Sequence, residues 1–326
     1  MTPESDWKAV SRIMAELNKP LRGIIPPLVT PLIDQDTLDI QGTERLLDHV
    51  IRGGVHGIFA LGTTGEGTSL SPALRHKFVE LVCEIVAGRV PVLVGITDTS
   101  MTSALELADQ SYAAGVAAVV SAAPYYLPMT QSDLLAYMEE LASRLPLPLL
   151  LYNMPSCTKT AFDVDTVRSL SKHDNVIGMK DTSGDLDYYA ELSKITATRE
   201  DFTLLIGPEE KLARSMELGG YGGVTGGANM FPTLYVALYE AASRGDFKAA
   251  YEYQEIVQEI SDSMYGVTDC GAKVLQGIKT ALSELGICSG VIAKPFRNYY
   301  DKERATIAAA VSRIEPLIEQ AVPSQV

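Results

Sequence analysis

The chain has 326 residues, 46% hydrophobic and 21% charged, with a formal net charge of -14. This is an ordinary globular composition, and the core can be large enough to need no disulfide or metal staple. The acidic balance repels nucleic-acid phosphates and anionic lipid, and no run approaches the ~18 apolar residues of a membrane span, so neither nucleic acid nor a membrane is expected as a partner.

Residues 1–8 carry acids and lack an apolar core, so no signal peptide is expected there. Cys83, Cys157, Cys270 and Cys288 form no CxxC pair, which fits reduced thiols and a cytoplasmic location. His49, His56, His76 and His173 are scattered without HxH or HExxH spacing, and no metal site is expected.

In chain order, Trp7, Val10, Met14 and Leu17 fall at helical spacing, predicting a short amphipathic N-terminal extension that Pro20 ends. Short apolar runs then appear near 23–29, 57–61, 90–95, 116–121, 147–152, 176–180, 203–206 and 222–225. Between them lie helical patterns at 42–51, 72–86, 102–114, 131–143, 164–171, 186–195 and 209–218. Strands alternating with helices imply parallel pairing through right-handed crossovers. Eight such units suit a closed (β/α)8 TIM barrel, although periodicity alone leaves an open doubly wound sheet possible. Helices at 233–243, 247–261, 272–285 and 302–320 follow, the first completing the barrel and the rest forming a C-terminal appendage. The expected division is 1–21 as extension, 22–245 as barrel and 246–326 as helical region packed on it.

In such a barrel every strand points its C-terminal end at one face, where side chains from distant parts of the sequence converge. Lys180 ends the sixth run, directly before the polar loop Asp181-Thr182-Ser183-Gly184-Asp185. A lysine there loses hydration, which favours a neutral amine able to condense with a ketone. The plainer alternative is a lysine whose head escapes to solvent. Strand parity puts Val176, Gly178 and Lys180 on one face and Ile177 and Met179 on the other. With Ile177 and Met179 turned to the helices, Lys180 faces the barrel mouth and Gly178 leaves room for a substrate.

Gly62-Thr63-Thr64-Gly65-Glu66 follows the second run. It lacks the lysine of a P-loop, but its glycines and hydroxyls suit a nest for a small carboxylate; a plain tight turn is the alternative. Tyr152 ends the fifth run. It reads either as a core-edge phenol or as a proton shuttle needing a partner, for which Thr63 and Tyr126 are the candidates. Gly207-Pro208-Glu209-Glu210 follows the seventh run and Gly226-Gly227-Ala228-Asn229 the eighth.

Together these pieces resemble the pyruvate-dependent class I lyases, the family of dihydrodipicolinate synthase and N-acetylneuraminate lyase. The resemblance covers roughly residues 22–316. It is carried by Thr30-Pro31, Gly62-Thr63-Thr64-Gly65-Glu66, Pro124-Tyr125-Tyr126, Tyr152-Asn153-Met154-Pro155, Gly178-Met179-Lys180-Asp181-Thr182-Ser183-Gly184-Asp185, Gly222-Gly223-Val224, Ala228-Asn229 and the tail Lys279-Thr280-Ala281-Leu282. The resemblance implies a Schiff base between Lys180 and pyruvate or another 2-keto acid, with no further cofactor. It implies that Gly62, Thr63 and Thr64 hold the substrate carboxylate. Tyr152 would relay protons, and Tyr126 would be lent across a dimer interface to complete the relay. A homotetramer built as a dimer of dimers is implied as well, and Gly207 and Val224 are carried over as pocket residues.

One departure bears on the second substrate. Dihydrodipicolinate synthases carry an arginine two residues after the proline of the tyrosine motif, where its planar fork grips a carboxylate. Cys157 stands there in this chain. Sialate lyases have an apolar residue at that place and bind sugar hydroxyls with acids after strand seven. Glu209 and Glu210 occupy that region, as hydroxyl binders or as solvated acids at a helix start. The expected activity is therefore cleavage or condensation of a 2-keto-3-deoxy sugar acid, 4-hydroxy-2-oxoglutarate or sialate-like compound. Dihydrodipicolinate synthesis, a related dehydration and a keto-acid-binding barrel without turnover are the alternatives.

Overall fold

The structure is a computed structural model, and it describes residues 17–322. The predicted helix over Trp7, Val10 and Met14 lies outside those residues.

Eight strands carry the barrel: β1 (Gly23–Ile24), β4 (Ile58–Ala60), β5 (Val92–Gly95), β6 (Ala118–Ala122), β7 (Leu149–Asn153), β8 (Val176–Asp181), β9 (Thr203–Ile206) and β10 (Gly222–Gly223). All pair in parallel in the order β1-β10-β9-β8-β7-β6-β5-β4. The two edges meet at a parallel Pro27–Phe59 bridge, where the Phe59 amide donates to Pro26 O at 3.0 Å and Leu28 N donates to Phe59 O at 2.8 Å. The sheet is thereby closed into a TIM barrel, as expected. The intervening hairpin of β2 (Leu32–Asp34) and β3 (Thr37–Leu38) was not foreseen.

The barrel helices are α1 (Ile40–Arg52), α2 (Pro72–Val86), α3 (Met101–Ala113), α4 (Gln131–Arg144), α5 (Pro155–Thr158), α6 (Val164–Leu170), α7 (Leu186–Thr196), α8 (Leu212–Glu217) and α9 (Pro232–Ser243). Several begin at a side chain that accepts from the first turn's orphan amides: Asp39 before α1, Ser71 before α2, Ser100 before α3, Thr130 before α4 and Asp185 before α7. The helix expected over 209–218 is split, with a 3-10 turn at Glu209–Lys211 leading into α8. Beyond the barrel, α10 (Phe247–Met264) packs on α9, and α11 (Lys273–Glu284) and α12 (Asp301–Ala321) pack against each other. None of the described helices is long and apolar enough to cross a membrane.

Alternation along the strands separates two apolar layers. Phe59, Leu93, Val120, Leu150 and Leu205 fill the barrel, while Val94, Val119, Leu151, Met179 and Leu204 pack under the helices. Each fully buried side chain of this kind contributes about 1.5–3 kcal/mol relative to exposure.

Strand β8 breaks the predicted parity. The β7–β8 register pairs Leu149 with Val176 and then Leu150 with Gly178, so Ile177 is an extra residue at a bulge. Val176 consequently packs outward and Ile177 packs inside the barrel, the reverse of the expectation for both. Met179 still faces the helices. Gly178 does not leave substrate space either. A Cβ there would lie 2.3 Å from the Thr203 carbonyl oxygen and 2.5 Å from its Cβ, so β9 fills the position.

Candidate active site

Lys180 lies one residue before the end of β8 and pairs with Tyr152 on β7 and Leu205 on β9. It is only 4% exposed, so its head does not escape to solvent. Its Nζ stands 4.0 Å from the centroid of the Tyr152 ring and 5.2 Å from that of Phe59. Two aromatic faces thus enclose the amine, one from the paired strand β7 and one from β4 across the barrel. A neutral amine there is a nucleophile, and a charged one is stabilised by the ring faces.

The Tyr152 hydroxyl is 3.3 Å from Thr63 Oγ1, close enough for a hydrogen bond between β7 and the turn after β4. That turn is strongly constrained. Leu61 and Glu66 both take left-handed conformations, each with φ of 57°. Thr30 Oγ1 donates to Gly65 O at 2.7 Å. Any Cβ on Gly67 would sit 2.3 Å from Leu61 O, so only glycine allows the chain to fold back there. Among the described residues the amides of Thr63 and Thr64 have no backbone partner, as an anion nest requires.

Glu66 anchors this turn from behind. Its Oε1 accepts from the Ala293 amide at 2.7 Å, and its other oxygen pairs with Lys279 on α11. The two side chains are 3% and 0% exposed. Burial pulls the Lys279 ammonium below its ordinary pKa, and the adjacent Glu66 opposes that pull.

A second anchor steadies the neighbouring strand ends. Asp181 is fully buried and accepts from Asn153 Nδ2 at 2.8 Å, Ser183 Oγ at 2.8 Å and Ser183 N at 3.1 Å. Burial pushes its carboxyl above the usual range, against those hydrogen bonds. With Asp181 turned outward, Lys180 is held facing the mouth.

A cavity of about 290 Å³ opens at this rim, near the small end of the range for ligand sites. Of the candidates named from the sequence, Gly62, Thr63, Tyr152 and Cys157 line it, whereas Lys180 is outside the lining and adjoins it through the Tyr152 ring. Thr64 is next in the turn and is outside the lining. Val224 is 3% exposed and packs in the barrel interior. Gly207 is likewise outside the lining; it donates to Asp181 O at 2.7 Å and leaves room for the Thr182 hydroxyl, which a Cβ would meet at 2.1 Å. Tyr126 projects outward at 75% exposure, and Tyr125 lines the cavity instead.

Glu209 corrects both of its sequence readings. It is neither solvated nor in the cavity lining. Its carboxylate accepts from Gly227 N at 2.8 Å, Tyr235 OH at 2.6 Å and Tyr265 OH at 2.9 Å, which turns it into the protein. Burial pushes its carboxyl up to about 7, with the nearby Glu210 adding to the rise. Glu210 accepts from Ser261 Oγ on α10 and is also absent from the lining.

Several lining residues were not foreseen: Thr68, Arg75, Thr97, Met154 and Thr158. Arg75 had a usable signal. A cation in the first turn of a helix opposes the helix dipole, so it calls for a local reason. Among the described residues there is no cluster of His, Cys, Asp and Glu suited to a metal ion.

Comparison with known proteins places these features among relatives. A profile described as the dihydrodipicolinate synthetase family matches residues 20–314. A 4-hydroxy-tetrahydrodipicolinate synthase of Methanopyrus kandleri is 35% identical over 71% of this chain and 77% of its own. A probable 2-dehydro-3-deoxy-D-pentonate aldolase of Escherichia coli is 34% identical over 71% of this chain and 78% of its own. Among solved structures, a dihydrodipicolinate synthase from Bacteroides thetaiotaomicron superimposes with a TM-score of 0.88 at 47% identity, covering 91% of this chain and all of that one (100%). YagE, a prophage protein of E. coli solved in complex with pyruvate, gives 0.86 at 29% identity over 91% of this chain and 99% of its own.

Proposed function

This chain belongs to the dihydrodipicolinate synthetase family of lyases, and from that premise we propose that it is a class I aldolase forming or consuming pyruvate. The observation that carries the reading is the enclosed Lys180 amine, 4.0 Å from the Tyr152 ring whose hydroxyl reaches Thr63. The pyruvate held by YagE supports pyruvate as the keto component.

In the cleavage direction the Lys180 amine attacks the keto carbon and loses water to give an iminium. Tyr152 takes the proton of the hydroxyl beyond the breaking carbon–carbon bond. The bonding pair moves toward the iminium and leaves an enamine, while an aldehyde departs. Protonation of the enamine carbon and hydrolysis release pyruvate and restore the amine. The imine is the electron sink, so the proposed cycle needs no cofactor besides the lysine. Thr63 hydrogen-bonds the phenol, and the Thr63–Thr64 turn receives the keto acid's carboxylate.

The substrate is proposed to be a hydroxylated 2-keto acid, of the deoxy-sugar-acid or the 4-hydroxy-2-oxoglutarate kind. Exposed Cys157 at the cavity supplies no fork for a carboxylate, and the E. coli aldolase relative acts in name on such an acid. Dihydrodipicolinate synthesis is the second reading, favoured by the likeness to the B. thetaiotaomicron enzyme. Self-association as a dimer of dimers is also proposed. It would cover the rim loop where Tyr126 and Leu127 stand 75% and 70% exposed.

Borohydride reduction in the presence of pyruvate tests the mechanism. Mass spectrometry is expected to find one adduct, on Lys180. An unmodified Lys180 under saturating pyruvate would sink the Schiff-base reading.

A further inference from the structure

The cavity carries one charged side chain among the described lining residues, Arg75. It enters from the first turn of α2, where a cation is disfavoured by the helix dipole. Two contacts hold it: Nε donates to Leu70 O at 3.1 Å, and Nη1 meets Asp98 Oδ2 at 3.4 Å. Both partners of the ion pair keep 18% of their side-chain surface exposed. Asp98 is itself tied to the Ser100 amide at 3.0 Å and is not part of the lining. Arginine has five N–H donors in a planar fork, so the remaining donors, including both on Nη2, have no partner among the described residues. The hydroxyls of Thr68, Thr97 and Tyr125 belong to the same cavity. The cavity therefore joins two kinds of chemistry: Thr63 and the Tyr152 ring against which the Lys180 amine stands, and a guanidinium among hydroxyl-bearing residues.

We propose that Arg75 recognises a second carboxylate on the substrate, so that this site prefers dianionic 2-keto acids to those with a neutral tail. The inference rests on the Schiff-base reading above and turns its substrate choice toward diacids such as 4-hydroxy-2-oxoglutarate, since the deoxy-sugar acids carry a single carboxylate. A bidentate guanidinium–carboxylate contact restores the role that Cys157 leaves unfilled, from another wall of the same space. Asp98 partly neutralises the guanidinium and orients it. A monoanionic substrate leaves the fork without its partner in a partly dehydrated cavity, which disfavours that substrate.

The test compares two five-carbon keto acids, 2-oxoglutarate and 2-oxopentanoate. They differ at the far end, carboxylate against methyl. Borohydride trapping on Lys180 is titrated with each, with pyruvate as reference. The wild-type protein is expected to reach half-saturation at a concentration at least about tenfold lower for 2-oxoglutarate, the discrimination a charged hydrogen bond supplies. Arg75→Gln should bring the ratio near one, and Arg75→Lys should keep an intermediate ratio. A wild-type ratio near one overturns the proposal, as does an Arg75→Gln variant with the wild-type ratio. Equal weakening of all three keto acids would mark Arg75 as structural and also overturn it. Failure of pyruvate to trap at all strikes instead at the Schiff-base reading, so the two failures are distinct.

Discussion

Glu66 and Glu209 make an instructive pair. Each is 5% exposed, each sits in a turn at the barrel rim, and each binds that turn to the C-terminal helical region. Glu66 meets a cation, Lys279, and an amide. Glu209 meets only neutral donors, two tyrosine hydroxyls and an amide. The first stands behind the turn that lines the cavity, whereas the second turns away from the cavity. The difference teaches that a buried acid can be held by an opposite charge or by neutral dipoles alone, and the second kind, Glu209, has its carboxyl pushed up by burial to about 7.

The largest effect is expected where charge is removed from one side only. Lys279→Met leaves Glu66 buried without its cation, and urea unfolding should show a loss of about 3–5 kcal/mol. Where the variant folds in the cold, half-saturation by pyruvate in borohydride trapping should rise, because the Thr63–Thr64 turn loosens. An unchanged half-saturation would detach Glu66 from the site.

The Glu209 side of the comparison is tested by pH. Its folded pKa, raised to about 7, exceeds the unfolded value near 4.5. Between those limits the folded state keeps the proton and the unfolded state releases it. Stability therefore falls as pH rises from about 4.5 to about 7, and the contribution is constant outside that window. At about 1.4 kcal/mol per pH unit, the total is on the order of 3 kcal/mol. Glu209→Gln should remove that component, so the wild-type-minus-variant difference in urea titrations should fall by about 3 kcal/mol as pH rises from about 4.5 to about 7. Parallel curves would mean that burial does not raise the Glu209 carboxyl.

A smaller effect is expected from neutralising the first pair on both sides. The double variant Glu66→Gln, Lys279→Met should recover most of the single variant's loss, to within about 1–2 kcal/mol of wild type. A double variant as unstable as Lys279→Met would show that the pair contributes more than cancelled desolvation. Smallest of all, Ser261→Ala removes a half-buried hydrogen bond to Glu210 and should lower stability by about 0.5–1.5 kcal/mol, with no change in the pH profile.

The barrel was legible because its eight apolar runs and intervening helical patterns survive as strands and helices at nearly the predicted places. Lys180, Tyr152 and Thr63 could be brought together from sequence because parallel topology sends every strand end to one face. What the sequence hid was local or distant. The bulge at Ile177 escapes any argument from alternation, since period two assumes a regular strand. Glu209 looks like an acid at a helix start until Tyr235 and Tyr265, 26 and 56 residues away, close over it. Arg75 and Thr97 lie on the helix between β4 and β5 and on the loop after β5, and no sequence motif marks their shared cavity wall.

The Ile177 bulge also has a consequence for how this strand tolerates change in length. Deleting Ile177 would leave Val176 outward, Gly178 inward and Lys180 inward, with Leu149–Val176 and Leu150–Gly178 still paired. Deleting Met179 would instead swing the lysine toward the helices. The strand thus contains one position whose loss keeps the pairing on either side of it, and it lies below Lys180, where a lost residue alters the floor of the barrel while the lysine keeps its aim.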